Sequence, residues 1–263
     1  MLYNFEVKEI DKDTSLSMVK KYHYSNTLPK LNKHFIGFYL EDKLVGLVTL
    51  GWGTQPLNTI KKIFPSLETK DYYEIGKMCM TEDMPRNSES QMLSKLCDFI
   101  KKNYKNIKVL FTWADGMLGK CGYVYQASGF LYAGYTITDI YMKDGVKIHP
   151  RQMRKVLPID KDDKRIGIRP NKKQLLEYGI DRYKGKQFKY LKFLCSKVEK
   201  KKLIKESKIE LNFKYPKEKD LCWKKYELKN DLWVECGKPP YITDTRFLED
   251  DLQMNIFDFI EEE

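Results

Sequence analysis

The stretch NSESQMLSKLCDFIKKNYKNIKVLFTWADG, residues 87–116, decides the fold. It opens on a polar cluster, Asn87, Ser88, Glu89 and Ser90. It continues as a helix over Ser88 to Tyr104, with Met92, Leu93, Leu96, Phe99 and Ile100 on one face. It ends in a buried strand, IKVLFTW, that runs out at Asp115. Upstream, DYYEIGKMCM has the composition of a strand and TEDMPRNSES that of the loop after it. Strand, polar turn, helix, strand is an order that places a small-molecule donor at the helix start, where unpaired N–H groups and the helix dipole favour an anion. The turn PRNSES has no glycine, so its backbone is not expected to close around a diphosphate, and Glu89 would repel one. Ordinary coenzyme A is therefore disfavoured as the donor, and Asn87 or Ser88 is expected to cap the helix.

The neighbouring segments extend this pattern. TSLSMVKKYHYS carries Leu16, Val19 and Tyr22 at helical spacing, with Thr14 as the expected N-cap. KHFIGFYLEDKLVGLVTLG is two strands joined at Glu41-Asp42-Lys43, and LNTIKKIFP is a short helix ended by Pro65. GMLGKCGYVYQASG is a helical turn or short helix closed by Gly129, and FLYAGY and TDIYMKDG are two further strands. An antiparallel entry followed by β-α-β-α-β is a mixed α/β sheet.

A chain of 263 residues can bury one large core, or a core with an extension. No apolar run approaches the roughly 20 residues of a membrane span, and MLYNFEVKEIDKD lacks the apolar stretch of a signal peptide. A cytoplasmic location without membrane contact is expected. The six cysteines have no C-x-x-C spacing and are expected to be reduced thiols. Charge divides the chain into three. Residues 1–142 carry 18 basic and 15 acidic side chains, residues 143–229 carry 28 and 12, and residues 230–263 carry 2 and 10. We expect a catalytic domain over 1–142, a basic extension packed on it over 143–229, and an acidic tail over 230–263. A basic block interleaved with aromatics suits a polyanion such as double-stranded DNA, although a lysine-rich solvated face has the same composition. His149, Arg151, Arg154 and the run Lys200-Lys201-Lys202 are the candidate phosphate contacts.

Several stretches then fall into one pattern: KYHYSNTLP, FIGFYLEDKLVGLVTLG, YEIGKMCM, PRNSESQMLS, VLFTWADGMLGKCGYVYQASGFLYAG, IHPRQ and FKYLKFL. In this order they resemble the Mom family of phage-encoded DNA-modification proteins, and the resemblance covers about residues 20–217. It implies a GNAT-like acyltransferase fold and the transfer of a carbamoylmethyl group to adenine N6, which hides phage DNA from restriction enzymes. Two positions depart from the family pattern. Lys77 stands where an arginine is expected after the strand's glutamate, which keeps the charge but loses the planar fork. Gly119-Lys120 stands where a Gly-His pair is expected, so no role tied to that histidine carries over.

Adenine N6 is a weak nucleophile, because its lone pair is delocalised into the ring. Its modification requires a rigidly held base, a proton acceptor and stabilisation of charge on the donor. In a duplex the base must also be flipped out. Tyr123 and Tyr125, with Trp113, are candidates to line the slot, or are packing residues. Asp115 and Glu74 are the candidate proton acceptors, at or near strand ends where α/β sheets place ligands; Asp115 is also a candidate helix cap. His23 and Tyr24 form a polar helix end beside Asn26 and are candidates for a catalytic acid/base role; alternatively, His23 with Glu74 or Asp115 has the composition of a mononuclear iron site, though no contiguous motif supports one. Asn87, Ser88, Glu89 and Ser90 are the candidate contacts to a donor of acyl or glycyl type. The alternatives are an N-acetyltransferase acting on a small amine or protein, and a non-enzymatic DNA-binding protein. In the tail, Gln253, Ile256 and Phe257 resemble a bacterial sliding-clamp-binding motif, or pack on the protein's own core. The oligomeric state is not legible in the sequence.

Overall fold

A computed structural model describes residues 3–25, 28–53, 56–160, 163–165 and 167–239, with only the backbone of Leu57 and Arg151. The expected mixed sheet forms. Strands β1 (Glu6–Glu9), β2 (Asn32–Leu40), β3 (Lys43–Gly51) and β4 (Tyr72–Met80) pair antiparallel in sequence order, and β5 (Val109–Ala114) joins β4 in parallel. Strand β1 was not evident in the charged segment EVKE. Glu41 and Asp42 between β2 and β3 have φ 48° and 66°, the left-handed pair that a two-residue hairpin turn needs.

The helices are α1 (Lys12–Tyr22), α2 (Pro56–Ile63), α3 (Ser88–Asn103) and α4 (Tyr123–Ala127). Asp11, not Thr14, caps α1: its carboxylate accepts from the Thr14 N–H and hydroxyl, both at 2.7 Å. An ionised acceptor outcompetes the threonine oxygen for the first-turn donors. Helix α1 sets Met18 and Val19 against Leu47 and Cys79. On the same sheet face, Ile60 and Phe64 cover Tyr72 and Phe111. Helix α3 lies on the opposite face, so close to β3 that a Cβ on Gly46 would stand 2.6 Å from the Met92 sulfur. Cys97, rather than the half-buried Phe99, completes the inward face of α3.

Two expectations for the second half need correction. FLYAGY and TDIYMKDG are one strand, β6 (Leu131–Lys143). The intervening Thr136-Ile137 favours strand geometry, and Gly134 at φ 79° bends the chain without ending it. The second correction concerns the basic block. Its strand β8 (Asp181–Phe193) pairs antiparallel with β5, from Val109 opposite Phe193 to Ala114 opposite Phe188. Phe188, Tyr190 and Leu191 are buried, so residues 143–229 supply part of the core sheet and are not merely packed on it.

The chain forms two compact units that do not follow the charge boundaries. The first comprises residues up to Ala114, Gly122–Gly134 and Phe188–Tyr215, including α6 (Lys197–Glu206). Its glycine at 122 is obligatory: φ is +82°, and a Cβ there would lie 2.6 Å from the Tyr190 ring. The second comprises Asp115–Cys121, Tyr135–Gln187 and the described residues from Pro216. It holds β7 (Val146–Ile148), α5 (Lys172–Glu177), β9 (Trp223–Glu227) and β10 (Leu232–Cys236). Its own core gathers Tyr141, Ile148, Met153, Leu157, Ile168, Leu175 and Ile180. None of the six cysteines is in a disulfide, and no described helix is long and apolar enough to cross a membrane.

Candidate functional site

In the first unit, the parallel pair β4–β5 holds together only from Tyr72–Val109 to Glu74–Phe111. Beyond it, β4 runs on to Met80 paired only with β3, and β5 to Ala114 paired only with β8. The carboxyl ends of two parallel strands therefore part, which is where open α/β sheets take ligands. Glu74 is the last residue of β4 that pairs with β5. Its carboxylate lies where a side chain at position 53 would begin: a Cβ on Gly53 would meet Oε2 at 2.5 Å. Gly53→Ala is therefore expected to fold as the wild type does, because the flexible carboxylate can swing aside. A displacement of about 1 Å in a reacting group can cost 100-fold in rate, so catalytic turnover is expected to drop at least tenfold. Thermal unfolding and product assays on the same preparation check both halves.

Next to Glu74, β4 carries a bulge. Thr49 opposes Lys77 and Leu50 opposes Ile75, leaving Gly76 without a partner across the strand. The Thr49 hydroxyl accepts the Lys77 N–H at 2.9 Å. A Cβ at Gly76 would stand 2.9 Å from both Thr49 Oγ1 and Asn32 Oδ1, so this spot is lined with polar atoms. The Nδ2 of Asn32 is buried there with no hydrogen-bond partner among the described residues.

Lys77, the residue in the expected arginine position, places its ammonium 5.9 Å from the centre of the Tyr24 ring. Tyr24 in turn stacks on His23, with ring centres 4.2 Å apart. The Ser25 N–H, which can only donate, faces His23 Nδ1 at 3.0 Å. The same nitrogen lies 3.1 Å from the Ser25 carbonyl oxygen, which can only accept, so Nδ1 finds a partner in either tautomer. His23 is the residue that ends α1, where its own N–H bonds the Val19 carbonyl. Trp113 and Lys189 lie directly opposite each other on β5 and β8 and so share a sheet face. Glu74 belongs to that face through its partner Phe111, and Trp113 meets Phe111 edge-on at 5.2 Å. Burial holds the Lys189 amine below the usual lysine range.

The start of α3 differs from expectation. Neither Asn87 nor Ser88 caps it with a side chain. The Ser88 hydroxyl turns back to the Pro85 carbonyl at 2.7 Å, and Ser90 to that of Asn87 at 2.8 Å. Asn87 adopts φ 73°, ψ 6°, the conformation for which glycine was thought necessary and which asparagine tolerates best among the other residues. The turn thus forms without glycine, leaving the repulsion from Glu89 as the remaining objection to an anionic donor there.

Tyr123 and Tyr125 are not two walls of one slot. Two positions along a helix differ by about 200°, so Tyr123 is half exposed while Tyr125 is buried against Phe130 and Tyr190. In the second unit, Asp115 caps the 3-10 turn Gly116–Leu118 and accepts the Met117 N–H at 3.1 Å. Burial raises its carboxyl above the usual range, against the opposing effects of Lys147 and a hydrogen bond from Gln187. Burial likewise lowers the Lys147 amine, against the attraction of Asp115. Asp115 and Lys147 thus each favour the other's charged form.

His149 is exposed, with its N–H on the Gln152 side chain. Arg154 bonds the carbonyls of Asp163 and Arg165 and faces the Asp163 carboxylate, so much of its guanidinium serves the protein itself. On α6, Lys201 and Lys202 are exposed, while Lys200 lies over the Phe193 ring. Asn26, Gln253, Ile256 and Phe257 and the side chain of Arg151 lie outside the described residues. Among those described, no three His, Cys, Asp or Glu side chains are grouped to hold a metal ion. The expected iron set of His23 with Glu74 or Asp115 is not among such groups.

The Mom protein family matches residues 4–217 of this chain. A methylcarbamoylase, Mom of Escherichia phage Mu, is 28% identical over 202 residues, 76% of this chain and 79% of the phage protein. Solved structures are more distant. A Bacillus subtilis acetyltransferase in complex with CoA aligns at TM-score 0.40 and 12% identity, over 73% of this chain and all of its own. An N-acetyltransferase from Staphylococcus aureus aligns at TM-score 0.39 and 14% identity, over 73% of this chain and 99% of its own. So distant a likeness bears on neither ligand nor reaction.

Proposed function

Because the chain belongs to the Mom protein family, we propose that it is a phage DNA-modification enzyme that adds a carbamoylmethyl-type group to adenine N6 and so protects the DNA from restriction. Family membership supports the substrate class. The observation that carries the chemistry is Glu74, held over Gly53 where β4 and β5 part.

In this reading a flipped adenine enters from the face that Glu74 shares with Trp113 and Lys189. Trp113 offers a ring for the base to stack on, and Glu74 accepts the proton that N6 loses as its lone pair forms the new C–N bond while the donor's bond to the transferred carbon breaks, its electron pair leaving with the rest of the donor. The donor approaches from the other side of the gap. Its remote, polar end meets the first turn of α3 at Asn87, Ser88 and Ser90, and its reacting end lies at the Gly76 bulge beside the unpartnered amide of Asn32. Lys189, partly desolvated, stabilises negative charge that develops on the donor. His23, Tyr24 and Lys77 line the approach on Glu74's side. Lys201 and Lys202 supply phosphate contacts to duplex DNA, and the acidic tail engages the host's sliding clamp through Gln253, Ile256 and Phe257.

Expression in a bacterial host, followed by mass spectrometry of nucleosides from total DNA, tests the proposal. A deoxyadenosine heavier by the transferred group is expected. Only the standard nucleosides, in cells containing folded protein and in extracts supplied with host metabolites, would show that the family assignment has been carried too far.

A further inference from the structure

The second unit presents a sheet face that the chemistry above does not use. Side chains at alternate positions of a strand point the same way. On β8 this puts Arg182, Lys184 and Lys186 on one face, while Tyr183 turns the other way into a cluster with Met117 and Ile140. On the Arg182 side, cations and aromatic rings alternate. The Lys186 ammonium lies 4.9 Å from the centre of the Tyr135 ring, and that of Lys184 lies 3.9 Å from the Trp233 ring. Arg182 sits 5.0 Å from the same indole and 5.9 Å from Tyr226.

The Tyr135 end of this face is open, whereas at its Arg182 end Tyr141 is buried and Tyr226 packs on the core of the second unit. Tyr135 is 49% exposed and Ile137, two residues further along β6, is 57% exposed. The carboxylates on it are already engaged: Asp139 by Arg182 at 3.0 Å and Arg169 at 3.5 Å, and Glu235 by Lys224 at 3.4 Å. Lys186 is held by the Asp220 carbonyl at 2.8 Å, which fixes its charge beside Tyr135 without neutralising it.

Flat rings beside unneutralised lysines on an open sheet are the ingredients of a stacking platform. Duplex DNA presents base edges and phosphates but no base faces, so it would gain little from Tyr135 or Trp233. An unpaired strand offers both faces and phosphates. Alternate residues on a strand stand about 6.7 Å apart, so rings and ammonium groups recur at short intervals along the surface.

We infer that the face formed by Tyr135, Lys184, Lys186 and Trp233 binds single-stranded DNA through base stacking and phosphate contacts. The source of that strand rests on the DNA-modification reading, since a base-flipping enzyme generates unpaired bases. The binding itself stands apart from any modification chemistry.

The test uses the full-length protein, a fluorescent thymidine oligonucleotide and a duplex of equal length at one fixed salt concentration. Tight binding of the single strand with quenching of tryptophan emission is expected. Tyr135→Ala and Trp233→Leu are each expected to weaken it about tenfold or more, with duplex affinity changed less than twofold and thermal unfolding unchanged for the exposed Tyr135→Ala. Lys201→Gln on α6 serves as the converse control, lowering duplex binding more than single-strand binding. Equal losses for both DNA forms, or single-strand affinity untouched by both variants, would overturn the inference. So would a uridine oligonucleotide binding tenfold more tightly, which would make the occupant RNA. Modified deoxyadenosine is scored separately, so failure of the platform and failure of the enzyme reading give different results.

Discussion

Glu74→Gln is expected to leave the protein folded and to reduce modified deoxyadenosine to background. The substitution keeps shape and polarity at the edge of the gap but removes the ability to take a proton. Loss of a positioned general base costs about 100- to 10,000-fold, enough to erase product in a cellular assay. The amide is nearly isosteric with the carboxylate it replaces. Glu74 is half-buried, its neighbour at position 53 has no side chain, and the strand pairs to Gly51 and Phe111 are made by the backbone. A substitution that unfolded the protein would show a lowered Tm, and one that disturbed only DNA binding would raise KM while sparing kcat. Product at wild-type levels from Glu74→Gln would move the proton acceptor elsewhere, with the Asp115–Lys147 pair as the next place to look. Asp115→Asn is the discriminating partner experiment, because its carboxyl already serves as the cap of the turn at Gly116.

The elements of residues 12–114 were legible because each carries a periodic apolar pattern and most end on turn residues. The amphipathic pattern of 88–104 and the β-branched and aromatic run of 109–113 could hardly be anything else. The departures have local causes. Asp11 displaced Thr14 as a cap because a carboxylate is the stronger acceptor. Asn87 reached positive φ because its short side chain tolerates it. Strand β8 was hidden because DRYKGKQFKYLKF reads as a basic block, whereas alternation along it places Phe188 and Tyr190 on one face and Lys189, Leu191 and Phe193 on the other. That same alternation was the available signal for Lys189, a lysine on an otherwise apolar face. No sequence signal marked Asn32 or Lys147, whose roles come from what tertiary packing sets beside them.

A chain ending at Met142 is expected not to fold. The cut removes β8, and β5 would then present an open edge in the middle of what should be core. Val109, Leu110 and Phe111 on β5 are completely buried in the intact protein. Phe188, Tyr190, Leu191 and, from α6, Leu203 go with the deleted segment, and all four are at most 4% exposed. Fully burying one large apolar side chain contributes about 1.5–3 kcal/mol, so the four together approach the roughly 5–15 kcal/mol that holds a whole protein folded. Circular dichroism of the fragment should show no cooperative thermal transition, and size-exclusion chromatography should show aggregation. A soluble fragment with a sharp transition would mean that β1–β5 form a self-sufficient domain and that β8 is dispensable. The expected outcome also decides how the basic block is tested for DNA affinity. Removing the block destroys the sheet, so its contribution must be read from charge substitutions on the intact chain. Lys201→Gln with Lys202→Gln leaves Leu203 in place on the buried side of α6 while removing two exposed charges, and should lower the salt slope of duplex binding by about two.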